Sequence, residues 1–218
     1  MLVGTPYKKH RTFEGYDAIV IGSGIGGLTA AALLTKFGDK RDLVLERHYT
    51  AGGFTQSFTR PGYEWDAGGH HIGQVLRPGS LASRLFHTVT NEEIRWATLG
   101  EVYDRVFPGD MTFDLVAGAE RLLDAFYQAM PQARGRVEIA ELSTPLSTVE
   151  FTGHPQGAIY SLAHTPARFR DPLLHPQTPI GNLYLTGADV STAGVMGAMV
   201  GGALTANVIL RRNLLKAS

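Results

Sequence analysis

Tyr16–Glu46 reads YDAIVIGSGIGGLTAAALLTKFGDKRDLVLE, and its order of residue types decides the fold. Tyr16–Ile21 is an apolar, β-branched run with the character of a buried parallel strand. Glycine follows at the first, third and sixth places of Gly22-Ser23-Gly24-Ile25-Gly26-Gly27. Gly22 permits a tight turn, Gly24 lets backbone approach a pyrophosphate, and Gly27 lets a helix pack close to the strand. That helix is expected over Ile25–Phe37, with its free N–H groups and positive dipole end toward the phosphates. Gly38 is expected to stop it, and Asp42–Glu46 reads as a second strand. Glu46 lies nineteen residues after Gly27, where a carboxylate accepts hydrogen bonds from a ribose diol. A glycine turn that only packs would not account for that acid. The stretch predicts a dinucleotide-binding α/β unit.

The chain has 218 residues, 20 basic and 20 acidic, with 44% hydrophobic and 18% charged content. Such a chain is globular and long enough to bury roughly 70% of its unfolded surface. A neutral balance argues against nucleic acid as a partner. There is no cysteine, so disulfides, zinc–thiolate sites and thiol nucleophiles are excluded and a reducing compartment is the natural setting. Residues 1–15 carry a basic patch with no apolar run behind it, so no secretory signal is expected and the assigned location is cytoplasmic. Val195–Leu210 is apolar, with Gly197 and Gly201 at helix-pairing spacing. At sixteen residues it is short for a span, which wants about 20, and reads as a buried helix.

After Glu46 a nicotinamide fold would go on alternating strands and helices. Instead Arg47–Gly73, RHYTAGGFTQSFTRPGYEWDAGGHHIG, is dense in glycine and aromatics, with short strands expected around Phe54–Thr59 and Tyr63–Asp66. Glycine pairs let a backbone run close along a flat ligand, and turn chemistry alone also produces them. Near the other end, Leu183–Gly202 reads LYLTGADVSTAGVMGAMVGG, a second strand–turn–helix.

The run ERHYTAGGFTQSF…GYEWDAGGHHIG resembles flavoproteins of the phytoene desaturase, carotenoid isomerase and retinol saturase group. The resemblance implies an α/β, Rossmann-like FAD-binding fold of the glutathione-reductase type with a reduced, β-rich remnant of a substrate domain. It implies FAD lying along Gly52 and Gly53, with Arg47, Phe54 and Thr55 beside it. It also explains the second turn, because in this group a strand-Thr-Gly-x-Asp element returns to the same cofactor. Thr186, Gly187 and Asp189 match it. Asp189 would bond the ribityl chain, and a helix starting near Val195–Met196 would aim N–H groups at the pyrimidine end of the ring. A helix N-terminus favours the negative charge of a reduced flavin there. The cofactor set is thus Gly22, Ser23, Gly24, Ile25, Gly26, Gly27, Glu46, Arg47, Gly52, Gly53, Phe54, Thr55, Gly187, Asp189, Val195 and Met196.

The resemblance runs over nearly the whole chain, but members of the group are commonly more than twice as long. A missing middle is therefore expected, with a seam around Val116–Arg121. The segments read as 1–75, the N-terminal cofactor unit; 76–165, a reduced substrate-side region; and 166–218, the C-terminal cofactor unit, together one compact domain. In the middle, Glu101–Phe107 and Met111–Val116 predict a hairpin, and Glu120–Met130 an amphipathic helix stopped by Pro131. Val137–Ile139 and Ala158–Leu162 read as short strands, and 163–181 as irregular. A face uncovered by a missing domain calls for cover, so a homo-oligomer or peripheral contact with a membrane through the seam helix is expected.

Flavin chemistry asks the protein mainly for position. His70 and His71, on the substrate side of the resemblance, are the only candidates for proton transfer, and a histidine bonded to its local turn is the plainer account of each. The group often shows an aromatic at the place of His71 and a branched residue at Gly69. The other histidines have no metal spacing, and no metal is expected. Thr144, Pro145 and Gly157 match positions near the ring. Ser23 and Ser191 have no histidine–acid partner in the sequence, which argues against a hydrolase. Phe54, Tyr63 and Trp65 could wall an apolar pocket or simply pack in the core. The implied activity is hydride transfer between a C–C bond of a long apolar polyene or similar lipid and flavin N5, or flavin-assisted isomerisation. A flavin-binding scaffold without turnover and, behind it, an NAD-dependent reductase are the alternatives.

Overall fold

Ala18–Ile21 forms strand β1, Ile25–Gly38 helix α1 and Asp42–Leu45 strand β2. β1 and β2 pair in parallel, with Ala18 opposite Asp42 and Ile21 opposite Leu45. This βαβ unit opens a computed structural model that describes residues 4–9, 14–68, 72–98, 119–138, 144–152, 154–160 and 162–216. Strand alternation turns Val20 inward, where it is buried, and leaves Ile19 and Ile21 at 55% and 84% exposure. The expected buried strand is thus covered on one face only, because among the described residues the two-stranded sheet has no second layer. Gly38 does not stop α1 but is its last residue. The left-handed position falls on Asp39, at φ 50°. Gly38 instead lies against the side chain of Leu210, where a Cβ would collide.

The hairpin of β3 (Ser57–Arg60) and β4 (Tyr63–Asp66) is antiparallel and turns at Gly62, φ +83°. Phe54 and Thr55, expected in a strand, belong to a 3-10 turn over Gly53–Thr55. Tyr63 and Trp65 do not pack in the core: they are 43% and 44% exposed, since no layer among the described residues covers the hairpin. The Tyr63 hydroxyl donates to Glu138 Oε2.

Helix α2, Leu81–Thr90, was not anticipated. Ser80 caps it, its hydroxyl accepting from the Ser83 N–H at 3.0 Å. Leu85 and Phe86 are buried, and Trp96 meets the Phe86 ring edge-on at 4.9 Å. The middle continues with α3 (Ala119–Ala129), a 3-10 turn at Pro131–Ala133 and α4 (Pro145–Thr152). α3 falls where the seam helix was expected. The described part of 76–165 is therefore helical rather than β-rich. Val137 and Ala158–Tyr160 form no strand, while the predicted hairpin over 101–116, Ile139, and His70 and His71 lie outside the described residues. In the stretch expected to be irregular, α5 (Pro166–Arg170) forms behind a Thr165 cap and a first-turn proline, followed by a 3-10 turn at Pro172–Leu174.

The expected strand over Leu183–Thr186 shrinks to one antiparallel bridge between Tyr184 and Gln177. The bridge is closed by the Leu185 N–H, which donates to Pro176 at 2.8 Å, and the Leu185 carbonyl accepts the Thr205 hydroxyl of the last helix at 2.7 Å. A 3-10 turn over Ala188–Val190 then leads to α6, Gly194–Leu210. α6 is apolar around its circumference and buries Gly197, Met199, Gly201, Gly202, Ala203, Thr205 and Ala206. Among the described residues no helix is long and apolar enough to cross a membrane.

α6 and α1 cross backbone against backbone. A Cβ on Gly202 would strike the Gly26 carbonyl and lie 2.9 Å from Thr29 Cβ. Gly197 and Gly201, whose spacing suggested helix pairing, serve another contact. They receive the incoming chain, with the Thr192 carbonyl against Gly197 and the Gly187 carbonyl against Gly201. The core beside the crossing joins Leu33 and Leu34 of α1, Leu85 and Phe86 of α2, and Met199, Ala203 and Ala206 of α6. Residues from all three sequence segments meet in it.

Candidate functional site

The first turn has the geometry its glycines demand. Gly22 sits at φ +95°, a region that L side chains adopt at a cost. Gly27 faces the Gly22 carbonyl and Val20 Cγ1 so closely that a Cβ would collide, which seats α1 on β1. Gly24 differs from both. It caps α1 in extended conformation, with φ −61° and ψ 162°, and offers no side-chain cap. A Cβ there would meet no described atom within 4 Å. The first turn of α1 therefore starts without a side-chain cap and beside open space at Gly24, an arrangement that suits an anion.

Ser23 ties this turn to its surroundings. It is 2% exposed; its N–H donates to Glu46 Oε2 at 2.7 Å and its hydroxyl to the same oxygen at 2.6 Å. The hydroxyl also accepts the Gly52 N–H at 3.1 Å. Glu46 Oε1 takes the His48 N–H at 2.8 Å. Partial burial alone would raise the Glu46 pKa, but the Ser23 hydroxyl and the backbone N–H groups of His48, Ser23 and Arg47 outweigh it and hold the carboxyl below its usual range. A carboxylate has about four acceptor positions, so Glu46 spends most of them inside the protein.

The glycine pair closes on the same turn. Gly52, φ +118°, bridges to Gly24 in parallel fashion, and Gly53, φ +57°, would touch Gly24 Cα at 3.1 Å if it carried a Cβ. Thr55 donates its hydroxyl to the Gly52 carbonyl at 2.7 Å. Phe54 lies 5.9 Å from the His154 ring, and Arg47 is exposed.

The second turn arrives from the far end of the chain at the same place. A Cβ on Gly26 would lie 2.5 Å from Gly187 Cα and 2.8 Å from the Ala198 carbonyl. Gly187 itself sits at φ +92°, and the Thr186 hydroxyl oxygen beside it is buried without a hydrogen-bond partner. α6 begins one residue before the expected Val195–Met196, whose side chains pack against the core, leaving their N–H groups in the uncapped first turn. Asp189 accepts the Leu162 N–H at 3.3 Å and pairs with Arg168 at 3.9 Å.

The sequence reading missed Arg168 and His164. Arg168 is 8% exposed and donates to the carbonyls of Leu162 at 3.2 Å, Ala188 at 2.6 Å and Ser191 at 3.5 Å. His164 Nε2 accepts the Ala193 N–H at 2.7 Å, just before α6. The available signal was a cap followed by proline, Thr165-Pro166, which places an arginine one turn inside a short helix. Pro145 and Gly157 also meet. Gly157, φ +71°, has Pro145 where its Cβ would be. A cavity of 370 Å³ opens beside Arg168, Asp189, Ser191 and Asn207. None of residues 22–27 lines it, so it is not the phosphate cradle. Among the described residues no cluster of histidine and acid side chains could hold a metal ion.

Residues 22–27, 46, 52–53 and 187 therefore converge, although up to 165 positions separate them in the chain. Open space at Gly24, two helix starts without a side-chain cap and the orphaned Thr186 hydroxyl fit an extended, phosphate-bearing dinucleotide.

The sequence profile of the NAD(P)-binding Rossmann-like domain matches residues 20–95. An all-trans-retinol 13,14-reductase of Rattus norvegicus is 35% identical over 132 residues, covering 59% of this chain and 21% of the relative. An inactive all-trans-retinol 13,14-reductase of Danio rerio is 40% identical over 103 residues, covering 47% and 17%. A chloroplastic prolycopene isomerase of Arabidopsis thaliana is 53% identical over 53 residues, covering 24% and 9%. The chain spans about a fifth of the length of the retinol reductases it matches, and the matched share is smaller than the near-complete resemblance expected. Over the matched stretches the chain is similar to retinol 13,14-reductases and prolycopene isomerases, in line with the resemblance read from its sequence, and residues 20–95 match the NAD(P)-binding Rossmann-like domain.

Proposed function

We propose that the chain binds FAD between its two glycine turns and serves an oxidoreductase or isomerase acting on a long apolar polyene. The observation that carries this reading is the contact of Gly26 with Gly187. A nicotinamide dinucleotide gives no evident reason for a second glycine turn against the first. In this reading α1 and Gly24 take the pyrophosphate, and Glu46 exchanges one of its internal hydrogen bonds for a ribose hydroxyl. Gly52 and Gly53 run along the dinucleotide, and Asp189 with the start of α6 faces the ribityl and ring end. The bound flavin would supply hydride transfer to or from a substrate carbon. The chain's own task is to bind, orient and exclude water.

A second reading is a flavin-binding module without turnover. It is favoured by one of the relatives being itself named inactive. Association of copies through α3, where Phe126 and Met130 are 40% and 42% exposed, belongs with either reading. The test is the visible spectrum of the purified chain, followed by titration with FAD and with NAD. Tight FAD binding with a perturbed flavin spectrum is expected. A folded, colourless protein that takes up no flavin overturns the proposal. Bleaching of the bound flavin by an apolar polyene would separate enzyme from scaffold.

A further inference from the structure

We propose that Arg168 is a positioning residue for the ring-side half of the dinucleotide site. The inference rests on the FAD reading above, and it concerns residues that the sequence motifs do not include.

A buried cation is costly unless its surroundings use it. Arg168 has one carboxylate near it, Asp189 at 3.9 Å, and three carbonyls within hydrogen-bonding distance. Two of those carbonyls, Ala188 and Ser191, bracket the 3-10 turn between Gly187 and α6. The third belongs to Leu162, whose own N–H donates to Asp189. The guanidinium therefore stitches residue 162 to both ends of the 188–191 turn. His164 adds a further stitch, accepting the Ala193 N–H.

The strap over residues 162–168 has a base of its own. Thr165 caps α5 by accepting the Arg168 N–H at 3.2 Å, so Arg168 projects from a fixed helix rather than a free loop. Without it, the Ala188 and Ser191 carbonyls lose their fork, and the turn keeps its local bond from the Ser191 N–H to the Ala188 carbonyl at 3.2 Å, the bond from the Leu162 N–H to Asp189 at 3.3 Å and its packing on Gly201. Asp189 and the first N–H groups of α6 would then lose their fixed direction. Residues 22–27 and 46 would keep theirs, because no contact of Arg168 reaches them. A planar fork serves several acceptors at once in a way an ammonium does not.

The test uses the full chain with Arg168→Lys and Arg168→Gln, titrated separately with FAD and with ADP, which engages only the phosphate half. Expected for Arg168→Gln is a loss of FAD affinity of about tenfold or more, with ADP affinity within about twofold of the parent. Arg168→Lys should recover part of that loss. The absorbance of the flavin that remains bound should move toward that of free FAD. Unchanged FAD affinity and spectrum in both variants overturn the proposal. So does equal loss of FAD and ADP, including loss through failure to fold, because Arg168 would then be a support of the whole fold. A parent chain that binds neither ligand would instead defeat the FAD reading itself.

Discussion

Two alanine substitutions, two residues apart in one turn, separate what holds the fold from what faces the ligand. In Gly26→Ala the new methyl lies 2.5 Å from Gly187 Cα and 2.8 Å from the Ala198 carbonyl, where ordinary contact begins at 3.4 Å. Both neighbours are backbone, so the two turns must part by about 0.9 Å, and overpacking of this kind costs roughly 1–3 kcal/mol, here toward the upper end. For a chain of this size each kcal/mol moves the melting temperature by about 2–4 °C, so a fall of about 6–12 °C is expected. In Gly24→Ala the methyl meets open space, and the backbone is one that alanine adopts freely. Its melting temperature should hold or rise slightly, since alanine restricts the unfolded chain. Its FAD affinity should nonetheless fall by about tenfold or more, because the methyl stands in the cradle. Differential scanning fluorimetry reads the first quantity and quenching of flavin fluorescence the second. A Gly24→Ala variant that melts early, or one that binds FAD like the parent, refutes the assignment of these two glycines.

Glu46 carries a pH signature. Its folded pKa is depressed below the ordinary 4.5, so its stabilising contribution is complete above that value and is lost as pH falls through the lower folded value. Urea midpoints measured on acidification should therefore fall more steeply for the parent than for Glu46→Gln; parallel curves would count against the network. Ser23→Ala removes the hydroxyl that accepts the Gly52 N–H and donates to Glu46, and a buried group left unpaired costs about 1–3 kcal/mol. Denaturant unfolding checks this, and a change under about 0.5 kcal/mol would show that water replaces the hydroxyl. Light scattering tests association through α3: more than one copy is expected, and Phe126→Lys should reduce it, whereas a monodisperse monomer of the parent would end that idea.

The βαβ unit was legible because each of its signals is local. A strand, a glycine pattern, a helix and a terminal acid follow one another within Tyr16–Glu46, and the structure sets Gly22 and Gly27 in the conformations and contacts those signals imply. The α3 helix was legible for the same reason, its apolar residues repeating on one face before Pro131. What remained hidden depends on partners far along the chain. Nothing local in LYLT says that its pairing stops at one bridge to Gln177 and that the Leu185 carbonyl goes to Thr205. Nothing local in PARFR says that its first arginine, Arg168, reaches three carbonyls elsewhere. Ser23, read as part of the phosphate turn, proved to face inward, because its hydroxyl fits between Glu46 and Gly52. α2 went unread although Ser80 and the spacing of Leu81, Leu85 and Phe86 carried its cap and its face.

The crossing of α1 and α6 has a mechanical consequence. Where Gly202 meets the Gly26 carbonyl and Gly26 meets Gly187, no side chain stands between the two halves, so there is no rotamer to yield and no cushion to compress. A displacement of Gly187 itself would bear directly on Gly26. Entry and exit of a long dinucleotide must then be accommodated at the periphery, by the 52–55 turn or the strap over 162–168, while the central joint behaves as one stiff piece.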